Sequence, residues 1–306
     1  METSTRHPVT ITLPAFPITP QPRGRVRRIT VTPRQHPPVD ALVAIPEDPQ
    51  GLTLHFIGFN QAMGPWEAAK YAMWAALSHR IIVACELPGF SRYGQPLSTQ
   101  VRQDLLDGDP LSWGLSTLSY LNAAIDAAGI PRTDQVDVLA FSTGCSLAVA
   151  VLPAIQASHH VSNLTLIEPV TLTTRTIGRL ALHNAVDWVR QIKTVPPNYP
   201  SSWVRQASMR QLKEPSLRYT LPDYLASVTM LASNDTSRRL DDMTLPETHL
   251  VRGGLSRLCP RTQFAALDFR LRVREVPGMT CTIAGQGHQF WHCLPAVDAL
   301  ARTLNP

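Results

Sequence analysis

The stretch VDVLAFSTGCSLAVAVL, from Val136 to Leu152, decides how this chain folds. Its first half is apolar, as in a buried strand, and its second half carries small and apolar residues that suit a helix. Ser142 stands between the halves, with Ala140 two positions before it and Gly144 two positions after it. A tight strand-to-helix turn crowds those two positions, so residues there must be small. The stretch therefore predicts a turn that holds a serine hydroxyl clear of its own backbone.

Such a turn has a chemical use. The Ser142 hydroxyl can act as a nucleophile, and the N–H of Thr143 lies at a helix N-terminus, where it can donate to a developing oxyanion. A buried strand, turn and helix with an incidental serine would explain the stretch equally well, because the motif is short and has Ala140 where G-x-S-x-G has its first glycine. The rest of the chain has to separate these two interpretations.

The order of the apolar segments predicts an α/β fold. Strand-like runs alternate with helical patterns over residues 25–170 and again over 246–306, which is typical of a parallel sheet with right-handed crossovers. Residues 171–245 carry helical patterns, proline-rich clusters and no apolar strand run. We therefore expect a core made of 25–170 and 246–306, a helical insertion over 171–245, and an irregular N-terminal arm over 1–24.

Composition narrows the class of protein. The 306 residues carry a net charge of +5, which is mild and dispersed, so a nucleic-acid partner is not expected. No run of apolar residues is long enough for a membrane span. The five cysteines are odd in number and show no CxxC spacing, so neither a disulfide framework nor a zinc site is expected. With no signal-peptide pattern at the N-terminus, these features favour a reducing, cytoplasmic location.

Three further motifs accompany the serine turn, namely FIGFNQAMG (56–64), ELPGFSRYG (86–94) and AGQGHQFW (284–291). With them the chain resembles the α/β-hydrolase superfamily over about residues 25–306. The resemblance implies the α/β-hydrolase fold, a mostly parallel central sheet flanked by helices, with the insertion forming a helical cap.

The resemblance also implies roles for single residues. The first motif is similar to the family's oxyanion loop, which makes the Phe59 N–H a second donor beside that of Thr143, although Ile57 stands where histidine is common. The third motif is similar to the family's catalytic histidine loop, and His288 is the matching histidine. We expect it at the start of a final helix, with His292 one turn further on at the helix surface.

The acid that would orient His288 has two candidate positions. In the family it usually lies in a G-x-x-D pattern after the seventh strand, but the corresponding loop, RGGLSRLCP, places Ser256 there. Glu168, in LTLIEPV, ends the preceding strand, where some relatives carry their acid. Neighbouring strands lie about 5 Å apart, so Glu168 can reach the same histidine. Glu168 is therefore the preferred acid, although it could also simply end its strand; Asp268 in the following helix is a third choice, and Asp187 in the insertion is less favoured.

A serine nucleophile implies an acyl-enzyme intermediate. The resemblance thus implies a serine hydrolase that acts on a carboxylic ester or related acyl bond of a small, partly apolar molecule, with no metal or organic cofactor. Two alternatives stay open. Ser256 and Ile57 favour a catalytically degenerate binding or interaction protein, and an acyltransferase or a cofactor-free peroxidase-type member would use the same three residues.

The insertion carries two sets of side chains that bear on the substrate. Its aromatic residues could line an apolar acyl pocket or form the insertion's own core: Trp188, Tyr199, Trp203, Tyr219 and Tyr224. Its arginines could be a solvated face or could attract an acidic substrate: Arg175, Arg179, Arg190, Arg205 and Arg210.

Overall fold

The structure is a computed structural model, and it describes residues 6–13, 24–34, 36–59, 61–194, 216–233 and 236–305. The described residues form one nine-stranded sheet. Its strands are β1 (His7–Ile11), β2 (Arg25–Val31), β3 (Val39–Ile45), β4 (Gly51–Phe56), β5 (Arg80–Cys85), β6 (Gln135–Phe141), β7 (His160–Ile167), β8 (Glu247–Gly253) and β9 (Met279–Ile283).

The order across the sheet is β1-β9-β8-β7-β6-β4-β5-β3-β2. Each neighbouring pair is parallel except β2 with β3 and β3 with β5. The expectation of a mostly parallel sheet is therefore confirmed. The basic strand β2 forms one edge, where charged side chains discourage pairing with another chain.

Helices flank this sheet. They are α1 (Pro65–Ser78), α2 (Thr99–Leu106), α3 (Leu111–Ala128), α4 (Thr143–Gln156), α5 (Ile177–Thr194), α6 (Leu221–Ser233), α7 (Thr236–Asp241), α8 (Arg261–Val273), α9 (Leu294–Leu304) and a 3₁₀ helix (His288–His292). Helices α1, α3 and α4 pack directly on the strands. None of the helices in the described ranges has the length and apolar character needed to cross a membrane.

The core lies around the central strands β4, β6 and β7. Leu54, Val138 and Leu166 are buried there, as expected for parallel strands covered on both faces. Burying a side chain of this kind stabilises the fold by about 1.5–3 kcal/mol. Because β6, β7 and β8 are parallel neighbours, the residues that follow their carboxyl ends meet at the same edge of the sheet. That edge carries the candidate site.

The expectation of an irregular arm over residues 1–24 is wrong for His7–Ile11. These residues form β1, which pairs in parallel with β9 and places His7 opposite Met279. Arg6 anchors the strand, since its buried guanidinium donates to the Thr248 carbonyl at 2.7 Å and pairs with Asp268 at 3.1 Å. These partners are far away along the chain, so no local sequence pattern could indicate them.

The final helix also differs from its expected form. Residues 288–292 form the 3₁₀ helix, Cys293 is extended with φ −105° and ψ 105°, and α9 begins at Leu294. Pro295 explains the interruption, because proline lacks the N–H that a continuing helix needs and suits the first turn of a new one. His292 is not at the surface of a helix as expected; its Nδ1 lies 3.6 Å from Glu67 Oε1 in a largely covered position.

The described part of residues 171–245 carries helices α5, α6 and α7, in agreement with its helical pattern. Helix α5 packs against the 3₁₀ helix, α6 against α2, and α7 against α4. The insertion therefore contacts the elements that carry the candidate site. Its action as a cap remains a prediction.

Candidate active site

Ser142 occupies the turn between β6 and α4. Its backbone has φ 55° and ψ −118°, in a region that residues other than glycine seldom adopt. A Cβ atom on Gly144 would lie 2.1 Å from the carbonyl oxygen of Phe56, and Ala140 is fully buried. Crowding around the turn therefore requires small residues at these two positions, as the sequence predicts.

His288 begins the 3₁₀ helix directly after the loop that follows β9. Its Nε2 lies 2.9 Å from Ser142 Oγ. The imidazole stacks on the Phe141 ring with centroids 5.4 Å apart. The loop approaches β8 closely, because a Cβ atom on Gly253 would lie 2.5 Å from the Gly287 carbonyl oxygen. Close backbone packing and an aromatic surface therefore fix the imidazole beside the serine.

Glu168 follows β7 and is completely buried. Its Oε2 lies 2.7 Å from His288 Nδ1 and accepts a hydrogen bond from Ser256 Oγ at 2.6 Å. Its Oε1 accepts a hydrogen bond from the Gly253 N–H. Because a carboxylate can only accept, the His288 Nδ1–H donates to Glu168, and the Nε2 lone pair accepts from the Ser142 hydroxyl. One hydrogen-bonded chain thus joins the three residues that the sequence singled out.

Ser256 belongs to this group, although it is not in the acid's place. Its hydroxyl donates to Glu168 and accepts from the Cys259 N–H at 3.1 Å. The sequence places Ser256 at the position where the family usually has its acid, whereas in the structure Ser256 is a hydrogen-bond partner of the acid. The signal was present in the pattern, because a serine at the usual acid position lies beside any acid supplied from the neighbouring strand.

The third-choice acid, Asp268, is not part of the site, and this expectation is corrected. Its carboxylate pairs with Arg6 at 3.1 Å and Arg272 at 2.9 Å and accepts from the Thr280 hydroxyl. Burial alone would raise the pKa of Asp268, but these hydrogen bonds outweigh burial and lower it. The carboxylate is thus committed to anchoring β1 and β9.

Asp187, on α5, has a different task. It is buried, and its Oδ2 accepts from the backbone N–H groups of Arg257 at 3.0 Å and Leu258 at 3.1 Å. Asp187 thus fastens the insertion to the loop that contains Ser256. An isolated aspartate in a helical pattern gives no sequence signal for such a contact.

The expected oxyanion donors belong to the start of α4 and to the loop after β4. Thr143 is the first residue of α4, where backbone N–H groups have no partner within the helix. The loop after β4 passes close by, since a Cβ atom on Gly58 would lie 3.3 Å from Ser142 Cβ. The Gly58 N–H donates to Gln61 Oε1 at 2.6 Å, which holds this loop in shape. The donor roles of Phe59 and Thr143 remain predictions.

One of the insertion's aromatic residues, Tyr224, contacts this loop, and a second, Tyr219, packs beside it. The Phe59 ring lies 4.7 Å from that of Phe90 and 5.7 Å from that of Tyr224. Tyr219 packs on Phe90 at 5.4 Å and stacks on Tyr224 at 5.7 Å. Both tyrosines keep more than a third of their surface exposed, so they offer an accessible apolar surface beside Phe59 and Phe90. The other candidates lie outside the described residues, or their side chains do: Trp188, Arg190, Tyr199, Trp203, Arg205 and Arg210.

The thiols nearest the site are protonated. Cys145 Sγ donates to the carbonyls of Ala140 and Ile167, at 3.4 and 3.3 Å. Burial, and after it the charge of Glu168, raises the pKa of Cys145 and of Cys259. All five cysteines are free and buried.

Comparison with known proteins identifies the fold. No protein-family model matches the chain, and no curated protein matches it. An esterase from Pyrobaculum calidifontis is 18% identical over 93% of this chain and 85% of its own, with a TM-score of 0.54. A thioesterase domain from the curacin biosynthetic pathway is 15% identical over 91% and 99%, with a TM-score of 0.57. A bromoperoxidase from Bacillus anthracis is 13% identical over 90% and 98%, with a TM-score of 0.54.

Identities this low carry the fold alone. The chain has the α/β-hydrolase fold, and along the chain helices α5, α6 and α7 lie between the neighbouring strands β7 and β8. The fold that the resemblance implied is therefore confirmed.

Proposed function

We propose that this protein is a serine hydrolase that cleaves a carboxylic ester or a related acyl bond through an acyl-enzyme intermediate. One observation carries the proposal, namely the buried chain of hydrogen bonds from Ser142 Oγ to His288 Nε2 at 2.9 Å and from His288 Nδ1 to Glu168 Oε2 at 2.7 Å. A hydroxyl, an imidazole and a carboxylate in this order supply a nucleophile, a general base and a group that stabilises the imidazolium.

The first half of the reaction forms the acyl-enzyme. Ser142 Oγ attacks the acyl carbon while His288 Nε2 takes its proton, and the Glu168 carboxylate stabilises the imidazolium. The carbonyl oxygen gains negative charge and accepts hydrogen bonds from the N–H groups of Phe59 and Thr143. The tetrahedral species then expels the alcohol or thiol, which takes the proton from His288, and the acyl group stays on Ser142.

The second half releases the acid. Water gives a proton to His288 Nε2 and attacks the acyl carbon, and the new oxyanion uses the same two donors. When this species breaks down, the bond to Ser142 Oγ is cleaved and the serine recovers its proton from His288. The products are a free carboxylic acid and the starting enzyme, and the proton balance closes over the two halves.

The surroundings of Glu168 bear on the degenerate alternative. A chain that had lost its acid would leave Ser256 without a carboxylate to bond. Here the Ser256 hydroxyl and the Gly253 N–H both donate to the Glu168 carboxylate, and the imidazole donates as well. This arrangement supports a working acid supplied from the neighbouring strand.

A fluorophosphonate probe tests the proposal, because it forms a bond to an activated serine with loss of fluoride. We expect one label on the wild-type chain, none on Ser142→Ala, and labelling at least about 100-fold slower on His288→Ala, which lacks the base. Ser162→Ala is the matched control, because Ser162 only accepts from Gln135 at 2.5 Å in a half-exposed position. No labelling of folded wild-type protein, or equal labelling of Ser142→Ala, would contradict the proposal.

A further inference from the structure

A cavity lies beside the loop after β8, the loop whose Gly253 and Ser256 bond Glu168. It has a volume of about 570 Å³ and runs between the start of the insertion and the loop after β8. Ser256 forms part of its wall, whereas Ser142 and His288 are not among the described residues that line it. The cavity is therefore separate from the place where acyl chemistry is proposed, and binding of a ligand in the cavity does not depend on that chemistry.

The lining is strongly cationic. Five arginines contribute to it, and we call the space the arginine cavity: Arg175, Arg179, Arg252, Arg257 and Arg261. Among the described residues that line it there is no aspartate or glutamate. Within the described ranges none of the five forms an ion pair with a carboxylate. The nearby carboxylate of Asp187 instead accepts from backbone N–H groups.

Polar atoms in the arginine cavity lack partners. Arg175 Nη1 and Nη2 are buried without a hydrogen-bond partner in the described structure, and so is His183 Nδ1 in the same lining. Buried donors without partners are costly, so they mark a place where a ligand can supply acceptors. Arg252 differs, since it donates to the carbonyls of Cys259 at 3.3 Å and Ser256 at 3.4 Å and thereby stabilises the loop.

The charges in the arginine cavity oppose one another. Burial lowers the pKa of Arg175, and the neighbouring charge of Arg179 lowers it further. Burial likewise lowers the pKa of His183, with contributions from Arg175, Arg179 and Arg257. An anion in the cavity would relieve this repulsion and accept the free hydrogen bonds.

We propose that the arginine cavity binds a phosphate-bearing anion. Guanidinium groups match phosphate oxygens through paired hydrogen bonds. Five arginines also suit a ligand with several negative charges, because a single carboxylate would leave most of the positive charge uncompensated. The phosphate can belong to a separate ligand or to a phosphorylated acyl substrate that reaches from the cavity towards Ser142.

Calorimetric titration of the full chain with sodium pyrophosphate at low ionic strength tests the site. We expect the double variant Arg175→Gln/Arg179→Gln to raise the Kd about 10-fold or more, as expected when charged hydrogen bonds are lost. The control Arg132→Gln/Arg270→Gln removes the same charge from two pairs in which both partners are exposed, and it should change the Kd less than about 2-fold. No binding by the wild-type chain, or equal loss in both double variants, would overturn the proposal.

A second variant covers the case in which the first does not fold. Arg261 is exposed at the first turn of α8, so Arg261→Glu should leave the thermal unfolding midpoint unchanged and still weaken pyrophosphate binding. Unchanged binding by Arg261→Glu would contradict the site.

Two substrates then separate the sources of the phosphate. If the phosphate belongs to the substrate, pyrophosphate should raise the KM of a phosphorylated thioester and leave that of a neutral p-nitrophenyl ester unchanged. If it belongs to a separate ligand, pyrophosphate should act alike on both substrates. Fluorophosphonate labelling of Ser142 reports the acyl chemistry independently, so failure of either proposal is recognisable by itself.

Discussion

Ser142 and Glu168 share a positive φ angle that their residue types rarely adopt. Both have φ 55°, and both follow the ends of neighbouring parallel strands. Such a conformation costs about 1–3 kcal/mol for each residue and persists only where the surroundings enforce it. Hydrogen bonds do so here, since the Ser142 N–H donates to Ile167 O at 2.9 Å and the Glu168 N–H to Val251 O at 2.7 Å. The strain points both side chains towards the same imidazole.

Replacement of the acid is the first prediction at this scale. Glu168→Gln keeps the shape but removes the charge that stabilises imidazolium, so we expect kcat on a responsive ester to fall about 10²–10⁴-fold. Ser256→Ala removes one donor to Glu168 and should lower kcat about 10-fold, the usual value of one hydrogen bond.

Asp268→Asn is the control for the acid, because Asp268 bonds Arg6 and Arg272 and makes no contact with His288. Its kcat should match the wild type in protein shown to be folded by circular dichroism. Full activity of Glu168→Gln would disprove the role given to Glu168.

The glycine after the serine gives the second prediction. In Gly144→Ala the new methyl group would lie 2.1 Å from the Phe56 carbonyl oxygen, so the backbone at one of these two residues must move. We expect a loss of at least about 2 kcal/mol in the free energy of unfolding and loss of probe labelling. Gly178→Ala in α5 is the control, since nothing lies within 4 Å of its new methyl group, and it should gain up to about 1 kcal/mol. Urea titration measures both, and equal stabilities would refute the steric argument.

At the scale of elements, helix α1 carries a buried ion pair that faces the 3₁₀ helix. Glu67 and Lys70 are one turn apart on α1 and bond each other, and Lys70 Nζ lies 5.0 Å above the Trp291 ring. Burial alone would raise the pKa of Glu67, but Lys70 and His292 lower it to about 2. Trp291 and His292 belong to the 3₁₀ helix that begins with His288, so the Glu67–Lys70 ion pair helps to hold the helix that carries the histidine.

The third prediction concerns this ion pair. Glu67→Gln leaves the Lys70 charge buried without a partner and should cost about 3–5 kcal/mol of unfolding free energy, as should Lys70→Met. The double variant removes both charges and should recover most of that loss. Urea unfolding of all four proteins gives the coupling energy. Additive losses would mean that the charges do not depend on each other.

The elements also show what the sequence can predict. The alternating apolar runs indicate β2 to β9 and the serine turn, because their patterns are local. Strand β1 has only five residues and pairs with β9, and α2 is a short polar helix, TQVRQDLL, so neither gives a strong local signal. For the site, the small residues around Ser142 and the family resemblance together indicated Ser142, His288 and Glu168. The commitment of Asp268 to Arg6 depends on packing between distant segments.

At the scale of the whole molecule, one buried carboxyl affects how stability responds to pH. Glu86 follows β5 and accepts hydrogen bonds from the N–H groups of Asp40 and Arg92, both at 3.2 Å. Burial raises the pKa of Glu86 from 4.5 to about 7, although these hydrogen bonds oppose the rise. The folded chain therefore keeps a proton between pH 4.5 and 7 that the unfolded chain releases.

The fourth prediction follows from the sign of this difference. Because the folded state binds more protons in that interval, the contribution of Glu86 is most favourable below pH 4.5 and is lost as the pH rises to about 7. Its size is on the order of 1–3 kcal/mol. Glu86→Gln mimics the protonated form, so the unfolding free energy of the variant, relative to the wild type, should increase from pH 4.5 to 7. Parallel pH profiles in urea titrations would contradict this assignment.

The pairing of β1 with β9 has a consequence for how the chain is made. A ribosome adds about 5–20 residues per second, so tens of seconds pass between the emergence of His7 and that of Met279, its partner in the sheet. During that time β1 has no partner strand, and the residues whose carbonyls accept from the Arg6 guanidinium, among them Thr248 and Met279, have not all been synthesised. The nascent chain therefore cannot complete its sheet until translation has passed β9. A transcript cut short before β9 would yield a protein in which β1 and β8 each lack β9, the strand that pairs with both.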